Sequence, residues 1–368
     1  MSTALTGPTG ILGINMRTGV LAAIEEANRA GGICGHKMRL IALDDGYEPS
    51  RTAPNMRRLV EDEQVAAVIG NVGTPTAVAA IPIANGSHTP FFGAFTGAGV
   101  LRKTPPDRYV INYRASYAEE TMFMVDALIT RGGLKPRDIA FFTQRDAYGD
   151  AGFAGGIAAL KLHGLEDENA VVHGRYERNT SAVENALADI LLADHEPRAV
   201  IMVGAYNPCA AFILLAKVSG LDAIFLNVSF VGAEPLAEKL EEHGNGVIVT
   251  QVVPHFDTDL AIVTEYRRAL QSWSGEAKPT FGSLEGYIAT RILCKALNTI
   301  EGPVTRDAIV DALEGLNQFD IGLGERLLLA PDEHQACHRV WPTIIKDGKI
   351  IPFEWEALAA ELGGKSHE

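Results

Sequence analysis

Thr74, Pro75 and Thr76 lie where an apolar run, residues 65–70, gives way to a helical pattern. The first N–H groups of a helix have no partner within the helix, and the positive end of its dipole lies there. A threonine hydroxyl at this place adds one more donor. The segment therefore predicts a binding site for a carboxylate or another small anion, with ordinary N-capping as the alternative.

Three aromatic residues, Phe95, Tyr148 and Tyr206, each follow an apolar strand pattern. Open α/β sheets bind their ligands at the carboxyl ends of parallel strands. A tyrosine suits such a place because its ring is apolar and its tip is polar. Ordinary packing explains any one of these residues, whereas three rings that face a common cleft would form a ligand site.

The sequence contains no GxSxG elbow, no Walker P-loop, no HExxH motif and no EF-hand loop. Residues 70–73 lie between a strand pattern and a helix pattern but lack the GxGxxG spacing of a dinucleotide site. His334, Cys337 and His338 are spaced poorly for a chelate on one strand or turn, and no second cluster completes a tetrahedral metal site. We therefore expect no catalytic residue, no metal and no cofactor.

The chain has 368 residues, of which 47% are hydrophobic and 21% charged, a balance typical of globular proteins. At roughly 150 residues per domain, this length predicts about two domains. Asp and Glu (46) outnumber Lys and Arg (32), so the formal net charge is −14. A surface this acidic repels phosphate groups, which argues against binding to nucleic acid or to an anionic membrane.

The four cysteines are scattered without CxxC spacing, and we expect small buried side chains, with a disulfide left open. They are Cys34, Cys209, Cys294 and Cys337. No apolar run approaches the ~18–20 residues of a membrane span. The first residues have neither the basic start nor the apolar core of a signal peptide.

Strand and helix patterns alternate in two successive series. The first series predicts helices over 16–30, 50–62 (with Ser50 as its cap) and 76–84, and strands over 38–43, 65–70 and 91–95. The second predicts strands over 138–143, 170–174, 199–204 and 223–228, and helices over 151–163, 182–193 and 208–219. A third region predicts a strand from 247, helices over 259–274, 280–300 and 305–316 (capped by Thr305), and a hairpin turn at 346–348. Repeated βαβ units predict an α/β fold with two doubly wound parallel sheets.

The order of these elements, together with several short segments, resembles the type I periplasmic binding proteins, specifically the branched-chain amino acid (leucine/isoleucine/valine) binding proteins of ABC importers. The segments are residues 5–8, 28–33, 44–49, 68–70, 146–149 and 285–287. The resemblance implies two lobes that close on a ligand like a flytrap, with three crossings near residues 114–117, 249–253 and 331. Lobe one, which would anchor the ligand carboxylate, would comprise residues 1–116 plus 250–330, and lobe two 117–249 plus 331–368.

The resemblance also implies ligand-binding residues. In lobe one they are Thr74, which would hold the carboxylate, and Phe95 and Thr96 in a second loop. In lobe two they are Tyr148, Tyr206, Ser229 and Phe230, with Tyr117 and Glu119 as further candidates.

Ser229 departs from the family, because amino acid binders place there a carboxylate that holds the ligand's ammonium group. A buried ammonium group without a counter-charge is costly. The sequence therefore favours a ligand with a carboxylate or polar head and an apolar or aromatic body, unless Glu119 or Asp146 supplies the charge. The cysteine pair of well-known members falls on Tyr47 and Gly73, so that disulfide is not expected.

The resemblance implies a non-catalytic, monomeric solute-binding protein that presents a small carboxylate or amino-acid-like ligand to a membrane permease. A ligand-sensing receptor or regulator on the same fold is the alternative, although the chain has no helix-turn-helix at its start. Periplasmic localisation follows from the family alone. The resemblance also implies that Met1 falls within the first strand rather than before it.

Overall fold

The computed structural model describes residues 1–363, which form two compact units. Unit 1 comprises Met1–Ala115 with Val253–Arg339, and unit 2 comprises Ser116–Val252 with the described residues from Val340 onward. The chain therefore passes from one unit to the other three times.

The first two passages lie within a few residues of the predicted crossings, but the third follows Arg339 rather than residue 331. Backbone hydrogen bonds explain the difference. Asn112 N–H donates to the His334 carbonyl, and the N–H groups of Ala336 and Cys337 donate to the carbonyls of Asn112 and Tyr113. Residues 331–339 are therefore held in unit 1.

The first part of unit 1 alternates short parallel strands with helices. Its elements are β1 Ser2–Thr3, α1 Gly10–Arg29, β2 Leu43–Asp44, α2 Pro49–Arg57, β3 Val68–Ile69, α3 Thr74–Gly86, β4 Phe91–Phe92 and β5 Val110–Ile111. β1 pairs with β2, and β3, β4 and β5 form a second parallel sheet. The alternation of strand and helix is as predicted, but each strand has only two residues.

Two local predictions in this part are wrong. Ser50 lies inside α2, which begins at Pro49 after Glu48, because the fixed φ of proline suits the first position of a helix. The strand predicted over 38–43 is reduced to Leu43–Asp44. Upstream of it, the Asn28 side-chain amide accepts the Met38 N–H at 2.8 Å and donates to the Met38 carbonyl at 2.9 Å.

Unit 2 contains one larger sheet with helices between its strands. Its elements are α4 Tyr117–Thr130, β6 Ile139–Gln144, α5 Ala147–Leu162, β7 His173–Tyr176, α6 Glu184–Leu191, β8 Ala199–Val203, α7 Tyr206–Val218, β9 Ile224–Asn227, α8 Ala233–Leu240 and β10 Ile248–Gln251. The strands β7, β6, β8, β9 and β10 are parallel neighbours in that order. β6 and β8 are buried along their whole length, which explains the apolar runs Ile139–Phe142 in β6 and Ala199–Val203 in β8.

The chain then completes both units. Unit 1 gains α9 Ala261–Trp273, α10 Phe281–Leu297, α11 Arg306–Glu314, β11 Asn317–Phe319 and β12 Leu327–Leu329. Unit 2 gains β13 Trp341–Lys346, β14 Lys349–Pro352 and α12 Leu358–Gly363, with β13 antiparallel to β10. The hairpin turn is confirmed, since Asp347 and Gly348 have the positive φ of a tight β-hairpin. Thr305 caps α11 as predicted, accepting the Ala308 N–H at 3.1 Å. Residues 364–368 of the predicted second lobe lie outside the described part.

None of the helices within residues 1–363 combines the length and apolar character needed to cross a membrane.

Candidate functional site

In unit 1, Thr74 and Thr96 bring their hydroxyl groups together at 2.7 Å. Thr74 is the first residue of α3, and Thr96 lies in the loop after β4. The two segments meet because β3 and β4 are adjacent parallel strands, so their carboxyl ends share one edge. Within residues 1–363, the N–H groups of Thr74 and Thr76 donate to no other group. The start of α3 thus offers two N–H donors and a hydroxyl pair.

Gly73 sets this geometry by lying directly before α3 with a φ of 98°. A Cβ added there would lie 2.0 Å from the Tyr47 ring, so only glycine fits. The Thr76 hydroxyl turns back to the carbonyls of Val72 (2.5 Å) and Gly73 (2.9 Å). Of the two threonines that begin α3, Thr74 is therefore the one whose hydroxyl meets Thr96.

Phe95 lies against a buried charged pair that the sequence analysis missed. The Arg114 guanidinium carbon lies 4.6 Å from the centre of the Phe95 ring, and Arg114 Nε lies 3.7 Å from Glu285 Oε1. The side chains of Arg114 and Glu285 are 0% and 4% exposed. The ring thus covers a positive charge, a favourable cation–π contact. Glu285 belongs to a segment of the family resemblance, which was the available signal.

Unit 2 brings Tyr117, Tyr148 and Phe230 into one aromatic cluster. The Tyr148 ring lies 5.1 Å from Tyr117 and 4.6 Å from Phe230, centre to centre, and all three rings are buried. The Tyr148 hydroxyl donates to the carbonyl of Gly204 at 3.2 Å. Tyr206, the first residue of α7, follows that glycine by two positions. The cluster lies at the carboxyl ends of β6, β8 and β9.

Ser229 contacts a carboxylate, but that carboxylate belongs to Glu120. Ser229 donates its N–H to Glu120 Oε2 at 2.7 Å and its hydroxyl to Oε1 at 2.9 Å. Thr250 donates its hydroxyl to Oε2 at 2.5 Å. Glu120 is fully buried. A negative charge therefore lies beside Ser229, satisfied by three donors from unit 2.

The two acidic residues that the sequence analysis considered have other roles in the structure. Glu119 Oε2 accepts the Ser116 N–H at 2.6 Å and its hydroxyl at 2.7 Å in a capping box at the start of α4. Asp146 caps α5 by accepting the Tyr148 N–H at 3.0 Å. The helical period of α4 would have singled out Glu120, because it lies on the buried face with Tyr117.

Within the described residues 1–363, the histidine and cysteine side chains form no metal site. His334 is held by the Val110 carbonyl at 2.9 Å and by Glu314 at 3.1 Å. Across residues 1–363, no group of three or more potential ligands is placed to hold a metal ion. All four cysteines are free thiols.

Two α/β units with polar groups at the carboxyl ends of parallel strands are the features of a solute-binding protein. The chain belongs to the periplasmic binding protein family, whose model matches residues 1–349. Proteins of this family bind solutes and are not enzymes, which confirms the non-catalytic interpretation. Similar solved structures confirm the α/β fold class.

Three similar proteins illustrate the family. A possible leucine/isoleucine/valine-binding protein from Rhodopirellula baltica is 55% identical, with a TM-score of 0.95 over 97% of this chain and 96% of that one. The Leu/Ile/Val-binding protein homolog 7 of Brucella abortus is 25% identical over 313 residues, 81% of this chain and 75% of that protein. A fatty acid ABC transporter substrate-binding protein from Thermomonospora curvata is 19% identical, with a TM-score of 0.84 over 96% of this chain and 90% of that one, and shows the fold alone.

Proposed function

We propose that this protein captures a small carboxylate solute for an ABC importer. The observation that carries the proposal is the start of α3, where the hydroxyls of Thr74 and Thr96 and two N–H donors converge. Hydrogen bonds from such donors to a carboxylate are short and strong because the acceptor is charged. Thr74 and Thr96 are therefore assigned to the ligand's head.

The aromatic cluster of unit 2 is assigned to the ligand's body. Tyr117, Tyr148 and Phe230 already pack against one another, so an apolar or aromatic group would extend an existing stack. Phe95 in unit 1 and Tyr206 at the start of α7 complete the proposed lining. In this proposal the two units act as lobes that engage one ligand and close on it, as the resemblance implies.

We assign no ammonium group to the ligand. The carboxylate of Glu120 lies beside Ser229, but the Ser229 N–H, the Ser229 hydroxyl and the Thr250 hydroxyl already donate to it. An ammonium group at Glu120 would compete with these buried donors, and any donor that it displaced would lose its partner. The fatty acid binder from Thermomonospora curvata is a precedent for a ligand without an ammonium group on this fold.

Calorimetric titration with matched ligand pairs tests the assignment. The pairs are leucine with 4-methylpentanoate and phenylalanine with 3-phenylpropanoate, which differ only in the amino group. We expect the deaminated member of a pair to bind more tightly. Tighter binding of leucine or phenylalanine would overturn the proposal and assign the ammonium group to Glu120.

We further propose that the protein acts in the periplasm and delivers its ligand to a membrane permease. ATP hydrolysis by the permease complex in proteoliposomes tests this partner. We expect liganded protein to stimulate hydrolysis more than protein without ligand. Equal rates would favour the alternative of a ligand-sensing receptor.

A further inference from the structure

Arg102 follows the loop that carries Thr96, and its side chain binds back to that loop. Arg102 Nη1 donates to the carbonyl of Thr96 at 3.3 Å and to the carbonyl of Ala98 at 3.1 Å. A 3₁₀ turn over Gly99–Leu101 lies between the loop and Arg102. We call residues 96–98 the Thr96 loop. One half-buried arginine therefore holds the backbone of a loop that is proposed to contact the ligand.

The same guanidinium group holds both segments through which the chain leaves unit 1. Arg102 Nη2 donates to the carbonyl of Arg114 at 2.9 Å, and Arg102 Nε donates to Gln335 Oε1. The chain leaves unit 1 after Ala115 and again after Arg339, so both partners lie within a few residues of these passages. We call residues 112–115 and 334–339 the exit segments.

The two exit segments are bonded to each other. The Asn112 N–H donates to the His334 carbonyl at 2.7 Å, and the Ala336 N–H donates to the Asn112 carbonyl at 3.0 Å. Asn112 Nδ2 also donates to the carbonyl of Leu101, next to Arg102, at 2.8 Å. A displacement of one exit segment therefore acts on the other, and Arg102 connects the Thr96 loop to both.

The shape of the arginine side chain suits this task. A guanidinium group is planar and directs five N–H donors outward in a fixed arrangement. The four acceptors of Arg102 described here are three carbonyl oxygens and one amide oxygen, all of them neutral. The fixed direction of the donors, rather than charge pairing with these acceptors, therefore favours arginine at this position.

We propose that Arg102 is a positioning residue that makes the Thr96 loop and the exit segments respond together to a bound carboxylate. The inference rests on the proposed function, in which the Thr96 hydroxyl contacts the head of the ligand. A ligand that restrains the Thr96 loop would act through Arg102 on both exit segments. Coupling between two sites typically changes affinity by about 5- to 150-fold.

Hydrogen exchange without ligand tests the connection itself. Arg102→Met keeps a long side chain and removes the four contacts. The amides of Thr96, Ala98, Ala336 and Cys337 are all hydrogen-bonded, so their exchange is a sensitive readout. We expect them to exchange faster in the variant, by roughly tenfold. Unchanged exchange in the Thr96 loop or in the exit segments would overturn the proposal.

Arg306→Met is the matched control. Arg306 is also half-buried in unit 1, and it donates to the carbonyls of Val60, Val65 and Ser87 at 3.0–3.1 Å. Its loss should lower the unfolding midpoint but leave exchange in the Thr96 loop and the exit segments unchanged. Faster exchange there would indicate general loosening of unit 1 and would contradict a special role of Arg102.

A saturating ligand tests the coupling, with 3-phenylpropanoate or 4-methylpentanoate as the probe, whichever binds more tightly. In the unchanged protein and in Arg306→Met, it should slow exchange at the start of α3, in the Thr96 loop and in the exit segments. In Arg102→Met the affinity should fall by about tenfold, and at saturation only the exit segments should stop responding. Retained protection of the exit segments in Arg102→Met would overturn the proposal.

The ligand experiment separates the two hypotheses. If the unchanged protein shows no protection at the start of α3, the proposed function is wrong, and the ligand dependence of the coupling is lost with it. If protection appears at the start of α3 but not in the exit segments, the role of Arg102 alone is wrong.

Arg102→Lys distinguishes donor geometry from charge. Lysine keeps the positive charge but has a single nitrogen, which cannot replace donors on three nitrogens of a planar group. We expect this variant to lose the response of the exit segments, as Arg102→Met does. A full response in Arg102→Lys would show that charge is sufficient and would overturn the positioning role of the guanidinium group.

Discussion

At the scale of single residues, the proposed site depends on which hydroxyls and N–H groups already have partners. Thr76 and Thr74 both lie at the start of α3, yet only the Thr76 hydroxyl donates to backbone carbonyls. The Thr74 hydroxyl pairs with Thr96, which can accept or donate and so leaves a donor for a ligand oxygen. The distinction comes from side-chain direction and not from residue type.

Replacement of Thr74 by valine should weaken ligand binding by about 10- to 150-fold, because hydrogen bonds to charged groups are worth roughly 1.5–3 kcal/mol. Titration calorimetry with the ligand identified above measures the change. Thr290→Val is the matched control, since its buried hydroxyl only donates to the Gly286 carbonyl within α10. Unchanged affinity in Thr74→Val would remove Thr74 from the site.

At the scale of elements, unit 1 is held by the close approach of α1 and α10. A Cβ added at Gly19 of α1 would lie 1.8 Å from the Ser283 carbonyl oxygen, and one at Gly286 of α10 would lie 2.3 Å from the Met16 carbonyl oxygen. Glycine on both helices therefore permits a backbone contact that any side chain would prevent. This contact holds α10, which carries Glu285, against the first helix.

Gly19→Ala should lower the free energy of unfolding by about 1–3 kcal/mol, the usual cost of overpacking. Gly86→Ala is the control, because Gly86 ends α3 with open space around its Cα and no positive φ. That substitution should be neutral or stabilising by a few tenths of a kcal/mol. Urea denaturation of both variants measures the difference, and equal effects would show that the α1–α10 contact tolerates a side chain.

The edge strand β7 of unit 2 contains a histidine that makes stability depend on pH. Burial lowers the pKa of His173 from 6.5 to about 4, and its ring stacks on Phe153 at 3.9 Å. As pH falls below 6.5, His173 gains a proton in the unfolded chain but stays neutral in the folded chain. The free energy of unfolding should therefore decrease between pH 6.5 and about 4.

The variant His173→Gln should show a shallower loss of stability over this range, measured by urea denaturation at several pH values. His243→Gln, an exposed histidine on the same unit, should keep the slope of the unchanged protein. The explanation fails if both variants retain that slope.

At the scale of the whole molecule, each unit is discontinuous in sequence, and the chain passes between them three times. A ligand that engages Thr74 in unit 1 and Tyr148 in unit 2 would couple the two units through binding. The proposed function therefore predicts that one ligand affects both units at once.

Saturating ligand should protect amides in both units from hydrogen exchange, at the start of α3 and at the start of α5. At about 100 times the dissociation constant, the ligand should add roughly 2.7 kcal/mol of stability and raise the unfolding midpoint by about 2 °C or more. Protection confined to one unit would contradict capture by two lobes.

Local sequence patterns were sufficient to predict the α/β class, the alternation of elements, the family, and the positions at which Thr74 and Tyr148 follow strands. These features are local, because hydrophobic period, caps and turns act over a few residues. For the same reason the Thr305 cap and the hairpin turn at residues 346–348 were predicted correctly.

The contacts between side chains that are distant in sequence are seen only in the folded chain. The pairing of Glu120 with Ser229 joins residues 109 positions apart, and the pairing of Arg114 with Glu285 joins residues from two separate segments of unit 1. The third passage between the units follows Arg339 rather than the predicted residue 331, because hydrogen bonds between residues 112–113 and 334–337 hold the later segment in unit 1. Contacts of this kind depend on how distant segments pack, which no local pattern encodes. The length of a strand likewise depends on its neighbours, as residues 38–41 and 65–67 show.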